Sequence, residues 1–296
     1  MSYMKKLYLE CETGISGDMI VASLLDLGAD ETVLRNVLSG VKDQGFEIKI
    51  SRVMKSGIDC CDFDVQLDAE HENHDHDMEY LYGASGEEHH HDHHHHHGHD
   101  DHHHDHHHDH GHDHHHEDHV GHHHHHDARN LEDIYKIIDS LEMTDGAREL
   151  SKKVFHILAE AEAKAHKKEI NEVHFHEVGA IDSIVDIVSA AVCFDNLGIT
   201  DVVVKRLCEG HGNVRCQHGI IPVPVPAVIN ICAKYALPLS ITDRKGEYVT
   251  PTGAAFVAAV MTSKELPEVM TVEKVGLGAG KREHEIPGVL RAMIIK

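Results

Sequence analysis

Basic clusters, long apolar runs and paired cysteines are all missing from this sequence, and each absence closes off a class of function. Lysine and arginine number 27 against 51 aspartates and glutamates. No Lys/Arg cluster stands out against that acidic background, so no nucleic-acid surface is expected. No apolar run approaches the roughly 18 residues that a membrane-spanning helix requires, so no membrane span is expected either. The start, Met1-Ser2-Tyr3-Met4-Lys5-Lys6-Leu7, leads into a strand rather than a signal-peptide core. The seven cysteines, Cys11, Cys60, Cys61, Cys193, Cys208, Cys216 and Cys232, are odd in number and never spaced C-x-x-C. Most sit inside apolar runs, which suits reduced, buried thiols in a cytoplasmic protein. No internal repeat is visible.

What is present in excess is histidine. Of the 36 histidines, 29 fall in the 56 residues from His71 to His126, together with 14 acidic residues and no lysine or arginine. That tract carries −14 of the formal net charge of −24 and leaves a mildly acidic remainder of 240 residues, enough for one large domain or two small lobes. With almost nothing to bury, the tract is expected to be a disordered insertion. Neutral imidazoles suit nickel, copper and zinc, and carboxylates add hard oxygen donors. Histidine titrates near pH ~6.5, so metal must compete with protons and loading should weaken as pH falls. A purification tag does not fit an internal stretch interrupted by aspartates and flanked by folded sequence. A flexible loop supplies storage and delivery rather than fixed geometry, and His93, His95, His103, His107, His115 and His124 are taken as representative storage ligands.

The rest reads as an α/β layered domain with a mixed sheet, formed by residues 1–70 and 127–296 around the 71–126 insertion. Lys5–Glu12 reads as a buried strand and Gly14–Asp18 as a turn, with Asp18 as the N-cap of a helix to Leu27. A helix over Asp30–Leu38 follows. Phe46–Met54 and Asp59–Leu67 alternate apolar and polar residues about Lys55-Ser56-Gly57, a hairpin signature. Helices are expected over Leu131–Leu141, capped by Asn130, over Thr144–Lys168, and over Ile181–Leu197, whose lack of a polar face predicts burial. Asp201–Cys208 reads as one strand, Gly210–Pro226 as a Gly- and Pro-punctuated loop, and Ala227–Ala236 and Thr252–Met261 as short helices. Leu239–Thr242, Val269–Leu277 and Val289–Ile295 complete the strands. Helices alternating with strands argue the layered class, and the early hairpin argues a mixed sheet.

Within this frame four clusters carry chemistry. In Val173–Asp186, His174 and His176 share a side if the chain is extended there, and Asp182 and Asp186 share one face of the buried helix. Two carboxylates on a buried stripe are costly unless a cation or hydrogen-bond donors compensate. With Glu177 they form a candidate metal site; the alternative is that Asp182 caps the helix and Asp186 meets an arginine. In Glu209–Pro224, glycines flank His211 and His218 and let backbone approach a ligand closely; an ordinary surface turn is the alternative. In Tyr248–Ala255, Thr250, Thr252 and Gly253 offer either a phosphate or carboxylate site at a helix start or a simple cap. Gly276-Leu277-Gly278-Ala279-Gly280-Lys281 lacks the Walker spacing, yet Gly278 with Lys281 or Arg282 offers a mononucleotide phosphate site.

Taken in order, Ile15-Ser16-Gly17-Asp18-Met19, the histidine-rich loop, the His174–Asp186 block, Gly210–Pro226, Thr250-Pro251-Thr252-Gly253 and Gly276–Gly280 resemble the nickel-insertion proteins of nickel-pincer cofactor biosynthesis, the nickel chelatases of lactate racemase maturation. The resemblance covers nearly the whole chain outside the tract. It implies a lyase-class enzyme that inserts Ni(II) into pyridinium-3,5-bisthiocarboxylic acid mononucleotide, forming Ni–S and Ni–C bonds and consuming CTP with Mg or Mn. It implies metal ligands among His174, His176, Asp182, Asp186, His211 and His218. His176 or Glu177 would be the group that takes the ring proton, and Asp18 stands with them among the expected catalytic residues. The full-length form of the family continues into a C-terminal CTP-binding domain, so this chain is expected to be the N-terminal portion and to need that domain or a partner chain. Further implied partners are a nickel-pincer-dependent racemase and a second copy of the chain. Two other readings stand beside the insertase: a nickel storage and delivery protein without chemistry of its own, and a metal-dependent phosphoryl-transfer or hydrolytic enzyme.

Overall fold

A computed structural model describes residues 5–41, 45–67, 129–175, 180–216 and 219–296. The tract His71–His126, with His93, His95, His103, His107, His115 and His124, lies outside the described residues, as do His176, Glu177 and His218. Among the described residues no helix is long and apolar enough to cross a membrane, and all seven cysteines are free thiols.

The fold is α/β, built on a six-stranded mixed sheet. Next to one edge lies β1 (Lys5–Glu10), an apolar strand paired antiparallel with β11 (Val289–Ile295) and parallel with the edge strand β6 (Ile199–Val203). The expected hairpin forms as β2 (Phe46–Lys55) and β3 (Ile58–Leu67), with Phe46 opposite Leu67 and Lys55 opposite Ile58. Its two turn residues, Ser56 and Gly57, both have positive φ, the conformation whose twist matches that of paired strands. β10 (Val272–Ala279) runs antiparallel to β11 and touches β3 through a single parallel pair, Gly278 with Cys61, which gives the order β2-β3-β10-β11-β1-β6.

Helices cover one face of this sheet. α1 (Gly17–Asp26) lies on β3, β10 and β11. β10 can approach it because a side chain at Gly278 would stand 2.1 Å from the Met19 carbonyl and one at Gly276 2.2 Å from that of Ser23. α2 (Glu31–Leu38) is capped by Asp30, whose side chain accepts from the Thr32 amide at 2.8 Å. After β4 (Arg129–Asn130), Asn130 caps α3 (Leu131–Ser140) and Thr144 caps α4 (Asp145–His166), as their sequences predict. β5 (His174–Phe175) pairs with β4, and α5 (Ile181–Asn196) then runs through the interior between α1, α2 and α4. Ile184, Val185, Val188 and Ala191 on α5 are fully buried, as are Phe63, Phe155 and Phe256 around it; each of the Val, Ile and Phe side chains contributes about 1.5–3 kcal/mol. On the opposite sheet face Tyr8, Val203, Met293 and Ile295 form a smaller cluster under Leu266 and Met270.

Two expectations need correction. Asp201–Cys208 is not one strand: β6 ends at Val203 and the chain crosses at Lys205 and Arg206 into β7 (Leu207–Cys216), which belongs to a second sheet. Gly210–Pro226 is not a loop: β7 and β8 (Gly219–Val223) form a hairpin, with β9 (Leu239–Lys245) parallel on the other side of β7. Pro222 is tolerated because β8 is an edge strand of that sheet. α6 (Pro226–Tyr235) and α7 (Pro251–Val260) pack on α4.

Candidate functional site

The site grows from the turn between β1 and α1. The Ile15 amide donates to the Tyr248 carbonyl at 2.8 Å, and the Thr250 amide donates to the Ile15 carbonyl at 3.0 Å. The start of α7 therefore grips the Gly14–Gly17 turn from outside. Gly14 has φ +94°, and Gly253 leaves room for the Ile15 carbonyl, from which a side-chain carbon would stand 2.4 Å. Inside, Gly17 abuts Asp186 of α5. The cap position of α1 belongs to Ser16, not Asp18 as the sequence suggests; the Ser16 hydroxyl instead donates to the Asp18 carboxylate and orients it in the first helical turn.

This packing collects carboxylates from three elements. Asp18 comes from α1, Asp182 and Asp186 from α5, and Asp62 and Asp64 from β3, with Lys281 after β10 among them. Neither bland alternative for the α5 pair holds. Asp182 does not cap α5, whose cap position is Ala180, and Asp182 Oδ1 is buried with no hydrogen-bond partner. The cation acting on Asp186 is Lys281 rather than an arginine. Burial, then the charge of Asp18, push Asp186 well above the usual carboxylate range, against the opposing pull of Lys281. Burial likewise raises Asp62. Asp64 is the exception: burial works against its charged form, but the hydrogen bond and charge of Lys281, 2.6 Å away, prevail and hold it low. Lys281 mirrors this, since burial disfavours its ammonium while Asp64, Asp18 and Asp186 raise its pKa above the ordinary lysine value. Among the described residues no three His, Cys, Asp or Glu side chains form a group ready to hold a metal ion.

Other expected site residues fall elsewhere. His174 lies in β5 opposite Asn130. His211 is an exposed residue of β7, its Nε2 3.2 Å from the Asp243 carbonyl. Thr250, not Thr252, caps α7, accepting from the Gly253 amide at 3.1 Å, and Thr252 stands in the first turn. Gly278 sits in β10 pressed on α1.

A second polar centre has no counterpart in the sequence reading. Glu209 of β7 is fully buried; its Oε1 accepts from the amides of Gly210 at 2.8 Å, Tyr248 at 2.6 Å and Val249 at 3.2 Å. Burial raises its pKa to about 7 despite those amide donors. Glu209 Oε2 and the Tyr248 hydroxyl are buried without hydrogen-bond partners. Nearby, Glu247 pairs with Arg282, and His284 stacks on Tyr248 with ring centroids 4.1 Å apart. Burial, with Arg282 adding to it, lowers the His284 pKa to about 4. The one legible signal was a lone glutamate between Cys208 and Gly210 at the end of an apolar run.

The histidine block 174–176 stands just before α5 in the sequence, and Asp186 of α5 shares the acidic region with Asp18. The sequence matches the family described as nickel insertion protein over residues 7–296. The chain belongs to that family. Among its relatives is the pyridinium-3,5-bisthiocarboxylic acid mononucleotide nickel insertion protein of Alkaliphilus metalliredigens, 49% identical over 291 residues, covering 98% of this chain and 60% of the relative. The proteins of the same name from Clostridium acetobutylicum and Acetivibrio thermocellus are 43% and 38% identical, again over 98% of this chain and over 64% and 60% of their own lengths. This chain thus spans about 60% of the length of these family members. No solved structure matches it.

Proposed function

We propose that the chain inserts nickel(II) into pyridinium-3,5-bisthiocarboxylic acid mononucleotide as the metal-handling part of a CTP-dependent nickel chelatase, a lyase. The observation that carries this reading is the acidic region where α1 meets α5, in which Asp18 and Asp182 both act on Asp186 and Asp182 Oδ1 has no hydrogen-bond partner, in a family whose curated members are named for that insertion. A carboxylate held far above its usual pKa is under-compensated by protein cations and gains most from a metal ion. Asp182 and Asp186 would hold the nickel with His174 and His176 from the adjoining block, and Asp18, which acts on Asp186, would belong to the catalytic set. His176 or Glu177 would take the ring proton as the Ni–C bond forms. The start of α7, with Thr250, Thr252 and Gly253 beside the same turn, would receive the substrate phosphate.

The chain leaves β3 for the tract just past Asp62 and Asp64, and returns at Arg129, which pairs with Phe175. Both flanks of the tract thus adjoin site-bearing elements, which supports a role in feeding nickel to the acidic site; His211 and His218 would be outlying ligands. CTP, with Mg or Mn, would act through the additional region that the longer relatives carry. The test is to incubate the precursor, nickel and CTP with this chain, alone and together with that region, and to follow cofactor formation. Insertion that survives His174→Ala with His176→Ala, or Asp186→Asn, would refute the site. A second reading, a nickel store that delivers metal without chemistry of its own, is favoured by the tract alone; it requires that function vanish with the tract even in excess nickel.

A further inference from the structure

The turn between β1 and α1 is held at both ends by the second sheet and the β9–α7 connection. At its start the Cys208 amide of β7 donates to the Cys11 carbonyl at 3.2 Å, and Arg244 Nη1 donates to the Glu12 carbonyl at 2.9 Å. Further on, Ile15 forms a bridge with Val249, its amide bonded to the Tyr248 carbonyl and its carbonyl to the Thr250 amide. Tyr248 and Val249 are fixed in turn by Glu209. One oxygen, Oε1, accepts from both their amides, at 2.6 and 3.2 Å, and from that of Gly210 at 2.8 Å. The Glu209 side chain is fully buried, and its backbone carbonyl accepts from the Thr242 hydroxyl of β9 at 2.9 Å. Gly210 lets the β9–α7 connection close over β7, since a side-chain carbon there would stand 2.1 Å from the Gly246 carbonyl oxygen.

A buried oxygen that accepts amides from two separate segments clamps them together, and its loss leaves those donors unpaired. We propose that Glu209 is a positioning residue for nickel insertion: by clamping the amides of Tyr248 and Val249 it fixes Ile15, and through that turn it places Ser16 and Asp18 at the head of α1. The inference rests on the reading of Asp18 as one of the catalytic residues. The path is short and runs through the backbone, from Glu209 to Val249, across the bridge to Ile15, and along the chain to Asp18, whose carboxylate accepts from the Ser16 hydroxyl. The clamp needs the acceptor oxygen of Glu209 rather than its charge. A displacement of about 1 Å in a reacting group can cost about a hundredfold in rate, so a loosened turn slows the chemistry more than it weakens substrate binding.

Three variants of the full chain test this. Amide hydrogen exchange at Ile15 and Thr250 reports the clamp, and insertion of nickel into the pyridinium precursor, with CTP and the region that the longer relatives carry, reports the chemistry. Glu209→Ala should speed exchange at Ile15 and Thr250 at least roughly tenfold relative to Leu9 within β1. It should also lower kcat roughly tenfold to a hundredfold with the KM for the precursor unchanged. Glu209→Gln, which keeps the acceptor oxygen, should restore both. Thr242→Val removes the bond to the Glu209 carbonyl but leaves the Glu209 side chain in place; it should lower the denaturation midpoint and leave Ile15 exchange and kcat as in the wild type. If Glu209→Ala does not fold, Glu209→Asp, one methylene too short to reach Tyr248 and Val249, takes its place with the same expectations. Unchanged exchange at Ile15, or equal acceleration by Thr242→Val, would overturn the clamp. Faster exchange with wild-type kcat, or a glutamine variant as slow as the alanine one, would overturn the positioning role; in each of these cases the reading of Asp18 stands. If Asp18→Asn inserts nickel at the wild-type rate, that reading falls and the positioning inference falls with it.

Discussion

Gly17 and Asp186 touch so closely that a side-chain carbon on Gly17 would stand 2.6 Å from Asp186 Oδ2. The contact fixes how near the start of α1, with Asp18, comes to α5. Gly17→Ala must push α1 away from α5, an overpacking cost of about 1–3 kcal/mol. That exceeds the helix-propensity gain of at most about 1 kcal/mol. The expected result is a lower denaturation midpoint together with weaker manganese binding, read by urea unfolding and cation titration. An alanine variant that keeps both would show that the contact does not set the site.

Asp186→Asn should separate stability from function. Asp186 has a folded-state pKa well above the usual carboxylate range because burial and Asp18 oppose its ionisation. Such a group favours folding at acid pH and loses that contribution as pH rises through its folded pKa. The asparagine variant, which cannot ionise, should therefore be more stable than the wild type at neutral pH, by about 0.5–2 kcal/mol as for other relieved functional sites. The difference should shrink towards acid pH, and divalent-cation binding should be lost throughout. Melting temperatures of both proteins across pH 4–8 without metal, paired with a manganese titration, check this; a variant destabilised at neutral pH would contradict it.

Glu209 makes a similar prediction in a narrower window. Its pKa moves from 4.5 to about 7 on folding, so its stabilising contribution is complete below about 4.5 and is lost as pH rises through about 7. Glu209→Gln keeps an oxygen for the amides of Gly210, Tyr248 and Val249 and removes the ionisation. Its stability relative to wild type should improve between pH 5.5 and 8. Glu209→Ala leaves those amides without their acceptor and should cost about 1–3 kcal/mol at either pH. Denaturant midpoints at the two pH values distinguish the cases.

Much of this architecture was legible because it is local. The hairpin at Ser56-Gly57, the caps Asp30, Asn130 and Thr144 and the apolar α5 are each set by residues within one turn or strand of one another. The Asp182–Asp186 stripe was legible for the same reason, as a helical spacing. What joins that stripe to Asp18, Asp64 and Lys281 is long-range: β3 and β10 share the single pair Gly278 with Cys61, and no local pattern encodes it. Lys281 therefore looked like a phosphate ligand beside glycines whose visible role is to let β10 press on α1. Gly210–Pro226 looked like a loop because prolines usually break strands, whereas an edge strand such as β8 has a side that needs no amide donor. Glu209 was missed because two of its three donors, the amides of Tyr248 and Val249, lie some 40 positions away.

Replacing residues 71–126 with a short Gly/Ser linker tests the division of labour between tract and fold. The tract holds 29 histidines, so the deletion should remove most nickel-binding capacity at neutral pH. In the full chain that capacity should collapse as pH falls through about 6.5, where protons take the imidazoles. The fold should tolerate the change, because closing a shorter loop favours folding by roughly 1–2 kcal/mol. Insertion assayed with the region that the longer relatives carry should then persist when nickel is abundant and fail when it is scarce, a shift in metal requirement rather than a loss of turnover. Equilibrium dialysis with nickel at pH 7.5 and 5.5, alongside cofactor formation over a nickel series, gives both readouts. Loss of insertion at every nickel concentration, with the fold intact, would mean that the tract takes part in the chemistry and that the acidic site around Asp186 does not suffice to hold the metal.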